Sequence, residues 1–357
     1  MPRIVHLASG REWRGGQRQV LILAGGLHGS AHVDSVVVTG QGTVLAARLA
    51  AAAVPTYVTP WGPGLDPRVA MYAMGALRPG AILHAHDSHA HALADALSRM
   101  RRTPIVVTRR VTIPIKNPQR YRRAEAVIAI SEAVRALLLR AGIPAERIHV
   151  VPDAVDLAHV TAPRDWPAEV PRVAADVPLI VAVAALTREK GVDVLLEAAA
   201  HLRTTHPSAR WIVLGEGPER AALEARSTAL DVEFVVNLAG FVAAPEAILR
   251  EATVAVQPSL SEGLGSSVLD ALALGVPIVA TTAGGLPEAL AHGGGVLVPP
   301  GSPVELAAAV GRLLDDAVER QRLGAAGRVA AGHFSVERLV QRTLDVYRSV
   351  AQTQGTR

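Results

Sequence analysis

The sequence predicts an α/β protein built from two doubly wound parallel-sheet domains, and three observations carry that prediction. The chain has 357 residues, too many for one ordinary domain and suited to two. Short β-branched apolar runs alternate with stretches of 3.6-residue periodicity, the pattern of parallel strands joined by helical crossovers. Half of the residues are hydrophobic and only 3% are aromatic, so the core must be Ala, Val and Leu. Such a core suits strands covered by helices on both faces.

The first strand is expected over 4–8, followed by the loop 10–17 (GREWRGGQ) and a helix over 18–27. Gly15-Gly16 before that helix is a place where backbone N–H groups can meet a phosphate; a plain strand–helix turn reads the same way. Strand and helix then alternate through 33–39, 44–53, 56–58, 67–77 and 82–84. Ligands of doubly wound sheets bind at the carboxyl ends of strands. His84-Ala85-His86-Asp87-Ser88-His89 falls at such an end, with His91 just beyond. A metal is one meaning of this cluster, set aside here because His84 is expected to stay in its strand and point away. Asp87 and Ser88 also suit a helix cap. Further strands are expected over 104–108, 126–130 and 148–151, with a helix over 132–141.

Charge divides the chain. Residues 1–160 hold 19 Lys/Arg against 10 Asp/Glu, while residues 161–357 hold 17 against 22. That asymmetry points to an anionic partner on the first half. Residues 99–123 carry nine Lys/Arg and no acid, including Arg109, Arg110, Arg120, Arg122 and Arg123. A solvated charged face is the plain explanation. Nucleic acid is disfavoured because only Tyr121 could stack on a base, so an anionic lipid surface or a phosphorylated sugar acceptor is the expected partner. Only two of the 36 basic residues are lysine, Lys116 and Lys190, and a retained lysine can serve as a compact point charge.

The domains are expected at 1–160 and 178–335, with a proline-bearing linker over 161–177 and a final segment over 336–357. In the second domain a strand over 179–184 leads to Arg188, Lys190 and Gly191 ahead of a helix. A strand over 211–215 leads to Glu216-Gly217-Pro218. That turn half-matches a dinucleotide fingerprint but lacks its third glycine and follows the wrong strand, so NAD is excluded. A strand over 234–237 precedes Gly240-Phe241-Val242, and Gly284-Gly285-Leu286-Pro287-Glu288 is a further glycine-rich turn.

The chain is organised around residues 255–280, AVQPSLSEGLGSSVLDALALGVPIVA. This stretch reads as the strand Val254–Gln257, a tight loop, the helix Ser266–Leu274 and a strand over 277–280. Gly263 and Gly265 let the backbone approach a ligand closely, with Leu264 between them. The N–H groups of a helix opening at Ser266 suit an anion. Glu262 and Asp270 frame that site, and carboxylates accept hydrogen bonds from sugar hydroxyls. A phosphate flanked by hydroxyl-bearing rings describes a nucleotide sugar.

Glu262-Gly263-Leu264-Gly265 with Asp270 resembles the E-x7-E signature of the retaining glycosyltransferases of family 4, which have the GT-B fold. The resemblance spans nearly the whole chain. It implies two Rossmann-like domains facing a cleft, with the last helix crossing back to the first domain. It implies that Glu262 contacts the donor sugar and the second acid holds the ribose, here an Asp one methylene shorter. His86 matches the second His of an H-x-H-(D/E) sequence that contacts the donor sugar or phosphate. Gly15 and Gly16 match a turn that closes over the donor phosphates. Lys190 matches the lysine of a G-R-L-x-x-x-K-G segment, but Ala185 stands where the arginine is expected, leaving Arg188 as a substitute if its loop bends inward. Gly217 matches a G-x-G-P turn and Phe241 lies where the family docks the nucleobase. The usual Asn-Gly at the end of the first domain is Asp153-Ala154.

The implied function is transfer of a glycosyl group from a nucleotide-diphospho-sugar to a cell-envelope or lipid-linked saccharide, with retention, no cofactor and no metal. Two alternatives stay open: a nucleotide-sugar 2-epimerase of the same fold, and a non-catalytic GT-B binding protein, kept alive by Ala185 and Asp270. The absence of cysteine excludes disulfides, thiolate catalysis and Cys-ligated metal. No uninterrupted apolar run is long enough to span a bilayer. No signal peptide is recognisable, since Met1-Pro2-Arg3 leads straight into a short strand. The expected location is cytoplasmic, with peripheral attachment to the inner face of the membrane.

Overall fold

The computed structural model describes residues 2–62 and 66–355. They form two compact units, Met1–Ala154 with Val336–Arg357, and Val155–Ser335. The stretch expected as a linker belongs with the second unit, as does the short helix Leu157–Thr161 just before it, N-capped by Asp156. The last two residues of the 336–357 segment lie outside the described residues.

The first unit contains seven strands: β1 Arg3–Ala8, β2 Asp34–Gly40, β3 Thr56–Thr59, β4 Ile82–Ala85, β5 Ile105–Arg109, β6 Ala126–Ala129 and β7 Ile148–Val150. They lie in the order β3-β2-β1-β4-β5-β6-β7, and every pairing is parallel. Chain order reverses between β1 and β4, which opens a crevice at their carboxyl ends. One face of the sheet is covered by the helices Gly15–Leu27 and Val336–Gly355, whose Leu23, Leu27, Leu339, Leu344 and Tyr347 pack on Ile4, Ile82, Val106 and Ile128. Gly26 permits that contact, because a Cβ there would meet Val340 at 2.6 Å.

The second unit contains β8 Leu179–Val183, β9 Arg210–Leu214, β10 Val236–Gly240, β11 Val254–Gln257, β12 Ile278–Thr281 and β13 Gly295–Val298. Their order is β10-β9-β8-β11-β12-β13, again with all strands parallel. The reversal here falls between β8 and β11. Strand β10 begins two residues later than expected: Phe234 is 77% exposed, and the ladder with β9 starts at Val236. Among the described residues, no helix is long and apolar enough to cross a membrane.

Candidate active site

In the second unit the loops after β8 and β11 meet at the switch point. Arg188–Lys190 forms one 3-10 turn, closed by Gly191 at φ +63°. A Cβ on Gly191 would stand 2.2 Å from the Pro258 carbonyl oxygen, so only glycine lets the two loops lie this close. Leu260 N–H donates to the Glu189 carbonyl at 2.8 Å. The result places Lys190 Nζ 2.7 Å from Glu262 Oε2, with the two side chains 23% and 11% exposed. The resemblance assigns the diphosphate to the first and the donor sugar to the second, and the two are 72 residues apart in sequence.

A polar network fixes that pair. Ser259 Oγ donates to Glu262 Oε2 at 3.1 Å and Gln257 Nε2 approaches the same oxygen at 3.2 Å. Ser267 Oγ donates to Gln257 Oε1 at 2.8 Å. From the other side, Gly285 N–H donates to the Glu262 carbonyl at 3.2 Å. Gly284, at φ +57°, has no room for a Cβ, which would lie 1.8 Å from that carbonyl oxygen. Glu262 is thereby clamped through its backbone and its carboxylate.

The helix Ser266–Leu274 follows Gly265, whose φ of +95° turns the chain. It has no side-chain cap and no acid in its first turn, so its leading N–H groups point at the loop without a local carboxylate. Gly263 and Leu264 are buried in that loop. Asp270 lies one turn beyond Ser266 on the same helix face and is only 5% exposed. Gly217 has a steric function: a Cβ there would meet the Leu186 carbonyl oxygen at 2.3 Å, where the turn packs on the loop after β8. Phe241 is 54% exposed. Arg188 is exposed.

The first unit holds a different chemistry at its switch point. The helix there begins at Gly15, not at Arg18, so Gly15 and Gly16 are its first two residues, with no acid in the first turn and no side-chain cap. The expectation that His84 points away from His86 is overturned. Residues two apart along an extended chain face the same side, and the His84 and His86 rings lie 4.1 Å apart. His6, opposite His84 in the β1–β4 ladder, completes a buried trio. His6 Nδ1 is 2.9 Å from His86 Nε2. His84 Nδ1 lies 2.6 Å from the Tyr347 hydroxyl and its Nε2 lies 2.7 Å from Thr108 Oγ1. Burial and the charge of Arg110 push His6 down to about 3 and hold His86 well below the ordinary histidine value. The neighbouring histidines take no part: His91 packs edge-on against Tyr121 and His89 is exposed.

Ligand nitrogens of His6, His84 and His86 lie within 4.8 Å of one another, the one such metal-compatible group among the described residues. The surroundings do not fit a cation. Both nitrogens of His84 are already engaged, and the Arg110 guanidinium stands 3.4 Å from His86 Nδ1, where its charge opposes a metal ion.

Within the basic segment 99–123 several arginines have internal partners, while Arg101, Arg102 and Lys116 are exposed. Arg109 is 7% exposed and donates to the carbonyls of Val111 and Ile113 and to Tyr121 Oη. Arg110 pairs with buried Asp153 at 3.1 Å, the side chains 11% and 10% exposed. Arg122 donates to the Ala141 and Gly142 carbonyls past the end of a helix. Arg123 grips Asp95 with two bonds of 2.6 and 2.7 Å. Arg120 is partly buried, with its Nε lacking a hydrogen-bond partner. The physical reason is that a long arginine fork satisfies loop carbonyls and buried acids at little desolvation cost. Sequence reasoning missed His6 and the pairing of Asp153 with Arg110; strand pairing in the fold brings His6 beside His84, and the one local sign at Asp153 is its place in the usual Asn-Gly.

Comparison with known proteins agrees with this geometry. Residues 13–159 match the model of Glycosyltransferase Family 4, and residues 168–330 match that of Glycosyl transferases group 1. The chain is 29% identical over 306 residues to an alpha-D-kanosaminyltransferase of Streptomyces kanamyceticus, covering 76% of this chain and 78% of the relative. It is 30% identical over 298 residues to a D-inositol 3-phosphate glycosyltransferase of Pseudarthrobacter chlorophenolicus, covering 74% and 70%. Among solved structures, HepE of Anabaena in complex with UDP and glucose superposes with a TM-score of 0.83 at 20% identity, over 98% of this chain and all of that one. Sucrose-phosphate synthase of Thermosynechococcus elongatus superposes with a TM-score of 0.78 at 20% identity, over 99% of this chain and all of that one. The fold is therefore that of the GT-B enzymes. With the two models matching successive halves and relatives aligned along most of their length, the chain belongs to glycosyltransferase family 4 and is a glycosyltransferase.

Proposed function

We propose that the donor is a nucleotide-diphospho-sugar held by the second unit, and that transfer proceeds with retention and without a metal ion. The observation that supports this most directly is the Lys190–Glu262 pair at 2.7 Å, set beside the uncapped helix start at Ser266. In the free protein the ammonium is neutralised by the carboxylate. An arriving diphosphate would draw Lys190 to itself and free Glu262 to accept hydrogen bonds from sugar hydroxyls. When the glycosyl carbon–oxygen bond breaks, negative charge grows on the departing diphosphate. Lys190 and the helix N–H groups would stabilise it. The acceptor hydroxyl supplies the oxygen of the new bond, and its proton passes to the departing diphosphate oxygen. Asp270 would hold the ribose, Phe241 the base, and Gly15 and Gly16 the phosphates. His86 would contact the sugar or phosphate.

We place the acceptor among cell-envelope or lipid-linked saccharides. WcaL of Escherichia coli, whose name assigns it to colanic acid biosynthesis, is 33% identical over 190 residues, although the chain spans only 45% of that relative. The inositol phosphate in another relative's name makes a phosphorylated acceptor a natural candidate. An anionic membrane surface would meet Arg101, Arg102 and Lys116, which are exposed.

The test is nucleoside diphosphate release from a panel of UDP-, GDP- and ADP-sugars, with and without an envelope saccharide extract and with a chelator present. Release that needs the extract and ignores the chelator supports the proposal. Release without it, accompanied by an epimerised sugar, would make the chain a 2-epimerase; binding with no release at all would make it a non-catalytic relative.

A further inference from the structure

The buried polar chain in the first unit has a direction that its donors and acceptors dictate. Arg110 Nε donates to Asp153 Oδ1 at 3.1 Å, and Arg110 Nη1 lies 3.4 Å from His86 Nδ1. A guanidinium can only donate, so His86 Nδ1 must accept and carry a lone pair. In a neutral imidazole the proton then sits on Nε2, which faces His6 Nδ1 at 2.9 Å. His6 Nδ1 accepts in turn, and its own proton falls on Nε2, a buried atom with no hydrogen-bond partner. One cation thus sets the tautomers of two histidines. The far end of the chain is a buried N–H left unpaired, an arrangement that costs stability.

We infer that Arg110, aimed by Asp153, is a positioning residue that fixes the tautomer of His86. The four groups come from separate segments: β1, the end of β4, the end of β5 and the loop after β7. Asp153 is 7% exposed, and burial pushes its carboxyl upward while Arg110 pulls it down. A buried guanidinium with no acid would be costly, so Arg110 and Asp153 form one unit of function. Gly16 lies beside Arg110, whose Cδ would be at ordinary contact distance, 3.9 Å, from a Cβ at that position. Lysine could not replace this arginine, because it lacks the two-headed fork that reaches Asp153 and His86 together.

The consequence for rate rests on the reading of His86 as a donor contact; the tautomer assignment does not. The experiment separates them. Full-length, ligand-free protein labelled with 15N-histidine is examined by long-range proton–nitrogen correlation near neutral pH, with His6→Gln and His86→Gln variants for assignment. His86 is expected to show a bare Nδ1 and a protonated Nε2. In Arg110→Gln and Arg110→Lys the proton should move to Nδ1 or exchange between the two. An Nδ1–H in the parent protein, or an unchanged spectrum in Arg110→Gln, overturns the inference. If the single variants do not fold, the Arg110→Met/Asp153→Leu pair removes both charges at once and serves in their place. On the donor that the panel identifies, Arg110→Gln should lower kcat by about tenfold or more, as expected for a catalytic histidine in the wrong tautomer, with nucleoside diphosphate affinity retained. A shifted tautomer with unchanged kcat contradicts the positioning role, as does full rescue by Arg110→Lys.

Discussion

At the switch point of the second unit, a lysine and a glutamate from two loops meet at 2.7 Å, partly open to solvent and ringed by serine and glutamine. At the switch point of the first unit, an arginine is locked to an aspartate and ends a chain of buried histidines. The strand topology around the two points is the same, with the reversal between the first and fourth strands of each sheet. The side chains delivered there are not. The second unit presents a charge pair that is partly open to solvent. The first presents buried histidines held by one another, by Tyr347 and Thr108, and by an arginine that is itself paired. Topology thus supplies a crevice, and the residues just past the strand ends decide whether it is a loose electrostatic site or a rigid one.

The largest expected effect would break the loose site. Lys190→Ala should abolish transfer and weaken the nucleoside diphosphate by roughly tenfold to a hundredfold, the range for a lost charged hydrogen bond. Glu262→Gln should cut turnover while sparing nucleotide affinity, and Asp270→Asn should do the reverse; similar behaviour in both would erase the assigned division between sugar and ribose.

Acid sharpens the contrast between the units, because every buried histidine among the described residues is in the first: His6, His84, His86 and His91. Their folded-state values lie below the ordinary one, His6 at about 3 and His91 at about 4. Between those values and about 6.5, the unfolded chain binds protons that the folded chain refuses, so stability falls as pH falls. Each such histidine contributes up to about 1.4 kcal/mol per pH unit inside its window. Asp153, shifted upward by burial, acts with the opposite sign but is a single group. Hydrogen exchange should show the first unit opening before the second on acidification from neutral pH. Simultaneous opening, or the second unit opening first, would refute the assignment.

Gly284→Ala tests the backbone clamp on Glu262. The added Cβ cannot fit against the Glu262 carbonyl, so a loss of roughly 1–3 kcal/mol, the scale of local backbone strain, should accompany reduced transfer in thermal melts and assays. An unchanged melting temperature would contradict the clamp. The smallest effect is Arg122→Gln, which gives up two carbonyl contacts at the surface and should cost about 0.5–1.5 kcal/mol. Its binding to anionic vesicles should match the parent, since those bonds and not lipid occupy it.

The second unit was the more legible in sequence because its site is local. The strand Val254–Gln257, the helix Ser266–Leu274 and the acid Glu262 all sit in one stretch whose glycines and serines announce the turn. Lys190 was found through the glycine beside it. The first unit hid its site for a physical reason: Arg110 and Asp153 are 43 residues apart, and their pairing depends on β5, β6 and β7 lying in register. Charge counting along the basic run is blind to internal partners: Arg109, Arg122 and Arg123 spend donors on carbonyls and an acid, whereas Arg101, Arg102 and Lys116 stay exposed. His84 was misplaced by overlooking strand alternation, and Gly15-Gly16 by assigning to the loop two glycines that open the helix.

The most direct measurement of the central claim, that the β8/β11 switch point holds the donor's diphosphate, is calorimetric titration of UDP, GDP and ADP into the parent protein and Lys190→Ala. The account predicts that one of the three binds the parent and is weakened roughly tenfold to a hundredfold by the substitution, with the fold unchanged by circular dichroism. Equal affinity in a folded Lys190→Ala protein would contradict it.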